Sequence, residues 1–294
     1  MEYEIKNQFL NVKINSRGAE LTSVKSVNSD TEFLWQADPE VWNRHAPILF
    51  PIVGRLKNDT YQYQGKSYQL SQHGFARDKE FKLLSQESDA ISLVLRDDEA
   101  SLKEYPFHFE LVITYRLLNN LLIENLSVKN PANEEMFFSI GCHPGFNVPV
   151  NNQIKKSNYY LQMLPSKDHI RIPLNKETGL HDWAKRTIAA TDTPIELTDD
   201  LFKHDALIFQ LKGETKVSLR SEKTSYHVNV TTEDSPFIGV WSQYPKTADY
   251  VCIEPWWGLC DDVNADGDIS KKRGIIKLGP NEEWTGKITI ALHD

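Results

Sequence analysis

The strongest constraint on the fold of this 294-residue chain is an apolar pattern that repeats at every second residue. Such alternation puts apolar side chains on one face of a β-strand, whereas a helix requires a repeat near 3.6 residues. The clearest runs are Leu10-x-Val12-x-Ile14, Ile91-x-Leu93-x-Leu95, the alternate residues from Phe109 to Leu117, Tyr226-x-Val228-x-Val230 and Ile288-x-Ile290-x-Leu292. The pattern predicts strands that bury one face.

Turn signals lie between these runs, and they suit hairpins that join antiparallel strands. They are Ser16-Arg17-Gly18, Gln64-Gly65-Lys66 and Asn119-Asn120. Helical periodicity is confined to the short segments 37–43 and 97–104, which disfavours repeated βαβ units. We predict an all-β fold, a large antiparallel β-sandwich with few short helices.

The chain has no linker-like tract, low-complexity segment or fixed-period repeat, so residues 1–294 are expected to form a single domain. The least patterned region, 151–200, contains several prolines and is predicted to run as a long loop over the surface. Such loops often frame binding sites.

The composition excludes several classes of function. A net charge of −8 argues against the phosphate attraction that most nucleic-acid binding needs, so a small or neutral ligand fits better. The N-terminus lacks a secretory pattern and no stretch approaches the roughly eighteen apolar residues of a membrane span, which predicts a cytoplasmic protein without membrane partners. Cys142, Cys252 and Cys260 are odd in number and are expected to be reduced thiols. We expect a monomer or homodimer.

Four polar-aromatic islands interrupt the alternation, at 43–55, 72–77, 141–147 and 252–258. Each places an ionisable residue beside proline or glycine, where a strand is expected to end or bend. A group held at the end of a rigid strand is well placed for catalysis.

Glu254 is the first candidate for catalysis. Pro255 is expected to stop the strand directly after it, which would leave the carboxylate at a strand end beside Trp256 and Trp257. Apolar surroundings raise the pKa of a carboxyl and make it a usable base near neutrality. The alternative is an exposed rim glutamate next to core tryptophans.

His143 is the second candidate, because the following Pro144-Gly145 turn holds its backbone while its imidazole can act as acid or base near pH 7. The alternative is a histidine satisfied by hydrogen bonds in a tight turn. His73 stands in a similar island, and His45 is a weaker candidate.

Arg55, Arg77, Asp205 and Trp256 are candidates for substrate binding. A guanidinium donates two directed hydrogen bonds to sugar oxygens or to a phosphate, and an aspartate accepts from hydroxyls. One face of an indole suits the apolar side of a pyranose. The alternatives are surface ion pairs for the arginines, a strand cap for Asp205 and core packing for the tryptophan.

Several motifs that are specific to one kind of chemistry are missing. The sequence has no nucleophile elbow, Walker loop or dinucleotide fingerprint. Cys252 and Cys260 have poor spacing for zinc. Residues 262–267 match the first half of a calcium loop, but Arg273 stands where the bidentate glutamate belongs. We expect no metal and no cofactor.

Taken in order, the islands resemble the aldose 1-epimerase (galactose mutarotase) superfamily, and within it the LacX-type branch. The resemblance extends over nearly the whole chain and rests on Gly18-Ala-Glu-Leu21, Pro51-Ile-Val-Gly-Arg55, His73-Gly74, Tyr105-Pro-Phe107, His143-Pro-Gly-Phe-Asn147, Asp205 and Ile253-Glu254.

This resemblance implies a β-supersandwich with a groove that binds a free sugar. It implies Glu254 as catalytic base, His143 as acid and His73 as a second histidine near the ring oxygen. It also implies Arg55 and Asp205 as substrate-binding groups, with no cofactor.

Departures from the family pattern leave the sugar open, since Gly145 follows the His-Pro pair and Gly54 precedes Arg55. The segment from His73 to Arg77 also resembles the hexose-6-phosphate epimerase branch, in which Arg77 with Arg55 or Arg44 would receive a phosphate. A third hypothesis is a non-catalytic carbohydrate-binding or regulatory protein on the same scaffold, because a fold does not establish an activity.

Overall fold

The computed structural model describes residues 1–149, 154–245 and 249–294, and its regular structure is almost entirely antiparallel strand. The strands in chain order are β1 (Glu2–Lys6), β2 (Leu10–Asn15), β3 (Glu20–Ser26), β4 (Ile48–Leu49), β5 (Thr60–Tyr63), β6 (Lys66–Gln69), β7 (Lys82–Gln86), β8 (Ala90–Arg96), β9 (Glu110–Leu118), β10 (Leu121–Lys129), β11 (Met136–Phe138), β12 (Ile140–Cys142), β13 (Gly145–Asn147), β14 (Tyr160–Leu164), β15 (Asp168–Ile172), β16 (Leu174–Asn175), β17 (Leu180–His181), β18 (Thr187–Ala190), β19 (Ile195–Glu196), β20 (Leu207–Gln210), β21 (Thr215–Arg220), β22 (His227–Thr232), β23 (Phe237–Trp241), β24 (Tyr250–Trp257), β25 (Ile276–Leu278) and β26 (Glu283–His293).

Helices in the described part of the chain are short. The α-helix α1 spans Ser101–Glu104, and the 3₁₀ helices are Lys57–Asp59, Ala76–Asp78, Lys156–Asn158, Trp183–Lys185 and Ile269–Lys271. None of the helices in the described ranges is long and apolar enough to cross a membrane.

Two large sheets make up most of the fold. One has nine strands in the order β19-β14-β21-β22-β26-β10-β9-β8-β7. The other has eight strands, seven of them in the order β18-β15-β20-β23-β24-β12-β4, with β13 as the eighth. The short β13 also pairs with β24. The predicted all-β, antiparallel sandwich is confirmed.

The predicted alternation appears directly in the burial of the long strands. In β9 the residues Leu111, Ile113, Tyr115 and Leu117 are buried, and the residues between them are less buried. Each such side chain contributes about 1.5–3 kcal/mol when fully buried. All three predicted turns join antiparallel neighbours: β2 to β3, β5 to β6 and β9 to β10.

The prediction of a helix at 37–43 is wrong. Ala37 has a left-handed backbone conformation, with φ of 52°, which helical residues do not adopt. A single turn follows, in which the Trp42 N–H donates to the Asp38 carbonyl at 2.8 Å. The second predicted segment, 97–104, does contain α1.

The prediction of a long loop over 151–200 is also wrong, although residues 151–153 lie outside the described residues. This region contains six strands, β14 to β19, and β14 and β15 extend the two large sheets. The strands have two to five residues each, with Pro165 and Pro173 between them, so an alternating repeat is too short to recognise. Only the β16–β17 hairpin frames the candidate site described below.

Candidate active site

Glu254 lies inside β24, and the expectation that Pro255 ends this strand is wrong. The strand continues to Trp257, and along one edge it pairs with β23, where Gly239 is opposite Glu254. The carboxylate therefore projects from within the eight-stranded sheet and has a rigid backbone on both sides.

Proline is tolerated here because the other edge of β24 has a gap at the same place. β13 pairs with the beginning of β24 and β12 with its end, and His143-Pro144 leaves the ladder between them. The Ile253 N–H donates to the Pro144 carbonyl at 3.2 Å. Alternate N–H groups of a strand point to the same edge, so the N–H that Pro255 lacks would face this gap.

Because of this gap, the His143 side chain contacts the Glu254 carboxylate. His143 Nε2 lies 3.1 Å from Glu254 Oε2, and both side chains are at most 10% exposed. In the part of the chain that the structure describes, Glu254 Oε1 and His143 Nδ1 have no hydrogen-bond partner. Each member of the pair therefore retains one polar atom that is free to hydrogen-bond.

Burial shifts the pKa of both groups toward their neutral forms. Desolvation, with the negative charge of Asp205 as a smaller cause, raises the pKa of Glu254 well above its ordinary value. Desolvation also lowers the pKa of His143 to about 3. The two groups together hold one transferable proton, which rests on the carboxyl in the neutral form of the pair.

His73 stands edge-on to His143, with 5.6 Å between ring centroids and perpendicular planes. The Gly54 N–H donates to His73 Nδ1 at 3.1 Å, so the proton of the neutral ring belongs on Nε2. Desolvation, with the neighbouring His143 ring and the charges of nearby arginines as smaller causes, holds the pKa of His73 well below its ordinary value. His73 is therefore a neutral ring, and its Nε2 lies 3.3 Å from the side-chain amide nitrogen of Gln72.

These groups border a cavity of about 490 Å³, within the size range of small-molecule sites. All seven sequence-predicted site residues line it: Arg55, His73, Arg77, His143, Asp205, Glu254 and Trp256. The structure brings together side chains from all four islands and Asp205, which lies just before β20.

Trp256 forms a flat part of the cavity wall because glycines lie beside it on both neighbouring strands. A Cβ atom would be 2.5 Å from its ring at Gly239 and 2.6 Å from it at Gly141. Trp257 points to the opposite face and packs on Trp284 in the main core, with centroids 5.3 Å apart. Of these two adjacent tryptophans, Trp256 borders the cavity and Trp257 does not.

The cationic residues of the site are only loosely paired. Arg55 Nη1 lies 3.9 Å from Asp59, and Arg77 Nε lies 3.8 Å from Asp78. Arg77 also donates to the Gln72 carbonyl at 2.6 Å, which fixes its direction. Their remaining N–H groups are available to a ligand.

Sequence reasoning missed two parts of the cavity wall. Trp42 and Trp241 pack against the His143 ring, at centroid distances of 5.1 and 5.8 Å. The β16–β17 hairpin contributes Lys176 and Glu177, and its Gly179 packs on the Arg55 side chain. Trp42 lies one residue outside an island, but no pattern marks the hairpin.

Cys252 was also missed as a neighbour of the pair, although its spacing of two from Glu254 puts both on one face of β24. Ligand atoms of His143, Cys252 and Glu254 lie within 4.8 Å of one another, so these residues offer a possible metal site. The acidic 261–268 turn is different, because the Lys57 ammonium donates to its Val263 carbonyl at 3.1 Å. A lysine thus supplies positive charge to this turn.

Known proteins resemble the chain over its whole length. The family model described as aldose 1-epimerase matches residues 1–291. The chromosomal LacX protein of Lactococcus lactis subsp. lactis is 33% identical over 288 residues, which are 95% of each chain. The plasmid LacX protein of that organism gives the same identity and coverage.

Two solved structures extend the likeness to three dimensions. A galactose mutarotase related enzyme from Lactobacillus acidophilus is 51% identical with a TM-score of 0.98, covering 100% of this chain and 98% of its own. A galactose mutarotase-like protein from Lactobacillus casei ATCC 334 is 28% identical with a TM-score of 0.90, and both chains are fully covered.

Proposed function

Because this chain belongs to the aldose 1-epimerase family, we propose that it interconverts the α and β anomers of an aldose by acid–base ring opening and closure. The observation that carries the proposal is the 3.1 Å contact between Glu254 and His143 at the wall of a sugar-sized cavity. Mutarotation needs a base for the proton of the C1 hydroxyl and an acid for the ring oxygen. Both oxygens are bonded to C1, so the two groups must lie side by side.

In the proposed reaction the Glu254 carboxylate takes the proton of the C1 hydroxyl while the His143 imidazolium protonates the ring oxygen. The C1–ring oxygen bond breaks, the aldehyde rotates about the C1–C2 bond, and closure from the other face reverses both proton transfers. The active form differs from the neutral pair only in the position of one proton. That proton can move along the direct Glu254–His143 contact.

The other cavity residues are proposed to hold the sugar. The Nε2–H of His73 donates to an oxygen near the reacting centre, and Asp205 accepts from sugar hydroxyls. The Trp256 ring supports the apolar side of the pyranose. Arg55 and Arg77 donate to the oxygens farther from C1.

A panel of aldoses tests the proposal through the exchange rate between anomers, measured by magnetisation-transfer NMR. At least one free aldose is expected to exchange faster with the wild-type protein, and the gain should disappear in Glu254→Gln. Binding of a sugar without faster exchange would instead support the third hypothesis, a non-catalytic carbohydrate-binding protein.

A phosphorylated aldose is the second candidate substrate, favoured by one observation. Arg55, Arg77 and Lys176 all border the cavity, and the two arginines have no acidic partner closer than 3.8 Å among the described residues. Calorimetry with glucose and glucose 6-phosphate separates the two candidates. A phosphate site would prefer the second ligand and lose that preference at high salt.

A further inference from the structure

Cys252 lies directly beside the proposed proton-transfer pair. It is a fully buried free thiol, and its ligand atom and those of His143 and Glu254 lie within 4.8 Å of one another. Glu254 is 1% exposed, yet its Oε1 has no hydrogen-bond partner among the described residues. A nitrogen, a sulfur and a carboxylate oxygen thus converge on one buried point.

Their spacing is close to that required by one tetrahedral ion. Zinc bonds are about 2.0–2.1 Å long to nitrogen or oxygen and about 2.3 Å long to sulfur. In a tetrahedral site these lengths put the nitrogen and oxygen ligands about 3.3 Å from each other and the sulfur about 3.6 Å from each of them. The observed nitrogen–oxygen distance is 3.1 Å, and the sulfur lies at most 4.8 Å from both. Side-chain movements of about 1 Å would complete the triangle, given the bond lengths above.

The fourth position of such an ion would face the cavity, because His143 and Glu254 both line it. Three protein ligands with one open position are typical of reactive rather than structural zinc sites. The thiolate selects zinc or cadmium over magnesium and calcium, which prefer oxygen ligands.

We propose that His143, Cys252 and Glu254 form a binding site for a thiophilic divalent cation such as Zn²⁺, and that the bound ion inhibits the protein. The ion binds the carboxylate, the neutral imidazole and the thiolate, so it releases to solvent both the thiol proton of Cys252 and the proton shared by Glu254 and His143. Only the inhibition rests on the proposed function, because binding depends on the ligands alone.

Cadmium titration tests binding without any activity measurement. Cd²⁺ added to the wild-type protein is expected to produce the ultraviolet absorption of a cadmium–thiolate bond at one equivalent. Cys252→Ala should abolish this band. Cys260→Ala is the matched control, since Cys260 is another buried thiol and borders the cavity, and it should retain the band. A band that survives Cys252→Ala, or is absent from the wild type, would overturn the site.

Zinc titration of the exchange rate tests the inhibition. Zn²⁺ should lower the wild-type rate, a chelator should restore it, and Mg²⁺ at the same concentration should leave it unchanged. In Cys252→Ala, with rates normalised to its own metal-free value, the inhibiting concentration should rise at least tenfold, because loss of even a group that only supports a ligand costs about 10–100-fold in metal affinity. Equal zinc sensitivity of the two proteins would contradict the inference even where the protein is fully active.

Discussion

Glu254 and His143 meet on neighbouring segments of one sheet, with Oε2 and Nε2 3.1 Å apart, because the chain before β13 leaves the ladder opposite Pro255. Glu254→Gln and His143→Asn are each expected to lower the anomerisation rate by a factor of about 10²–10⁴, the usual contribution of one positioned proton-transfer group. Polarimetry of a freshly dissolved α-sugar measures the effect.

The double variant should lose much less than the product of the two single losses, because groups that act as a unit are not additive. Wild-type rates in both single variants, with sugar binding intact, would remove this pair from the mechanism.

Gly239→Ala is expected to displace the Trp256 ring, since the new Cβ atom would stand 2.5 Å from it. Overpacking of this kind costs about 1–3 kcal/mol, and the tilted indole should weaken sugar binding. Urea unfolding and calorimetric titration measure the two effects. Gly279→Ala is the control, because there the nearest atoms are the terminal carboxylate of the exposed Glu282 side chain and not a ring of the cavity wall. Similar losses in both variants would argue against a specific role for the indole.

Glu124 makes the stability of the protein depend on pH. This carboxyl is buried between the sheets, where it accepts a hydrogen bond from the Cys142 thiol at 3.1 Å, and desolvation raises its pKa from 4.5 to about 7. Between these values the folded chain holds a proton that the unfolded chain has lost. The free energy of unfolding therefore falls as pH rises through this window, by about 3 kcal/mol in total.

Glu124→Gln should remove the contribution of this one carboxyl, so the loss of unfolding free energy between pH 4.5 and pH 8 should be smaller by about 3 kcal/mol than in the wild type. Urea unfolding at both pH values measures it. Glu283→Gln, at an exposed position of the adjoining strand, serves as the control and should leave the slope unchanged. If the free energy of unfolding of Glu124→Gln falls with pH as steeply as that of the wild type, another group is responsible for the fall.

Two adjacent lysines offer a matched test of ion pairing. Lys272 Nζ lies 2.8 Å from Asp261 with both side chains at most 6% exposed, whereas the Lys271 side chain, paired with Asp268, is 68% exposed. Lys272→Met leaves a buried carboxylate without its partner and should cost about 3–5 kcal/mol. Lys271→Met should cost at most about 1 kcal/mol. Equal shifts of the melting temperature in the two variants would contradict the larger contribution expected of the buried Lys272–Asp261 pair.

The long strands of the nine-stranded sheet could be predicted because each repeats its pattern over enough residues, as β9 does between Glu110 and Leu118. β16 and β17 have two residues each, which is too short for any repeat to show. The hairpin residues Lys176 and Glu177 therefore carried no signal, although they reach the cavity.

Pro255 shows a second limit of the sequence. A proline inside an apolar run usually ends a strand, but its effect depends on which edge lacks a partner at that point. The gap opposite Pro255 is made by residues more than a hundred positions earlier, so only the folded sheet reveals it. The spacing of Cys252 from Glu254 was visible in the sequence, but its proximity to His143 depends on the same gap.

The β16–β17 hairpin contributes Lys176 and Glu177 to the cavity, whereas Glu254 projects from the middle of a large sheet. In the proposed reaction, the hairpin's contacts to the substrate and the transfer of protons thus depend on separately replaceable parts of the chain. An engineer or natural selection can exchange the hairpin for a longer, shorter or differently charged one and leave the ladder around Pro255 intact. Divergence of substrate range within one reaction is therefore expected to concentrate at residues 174–181.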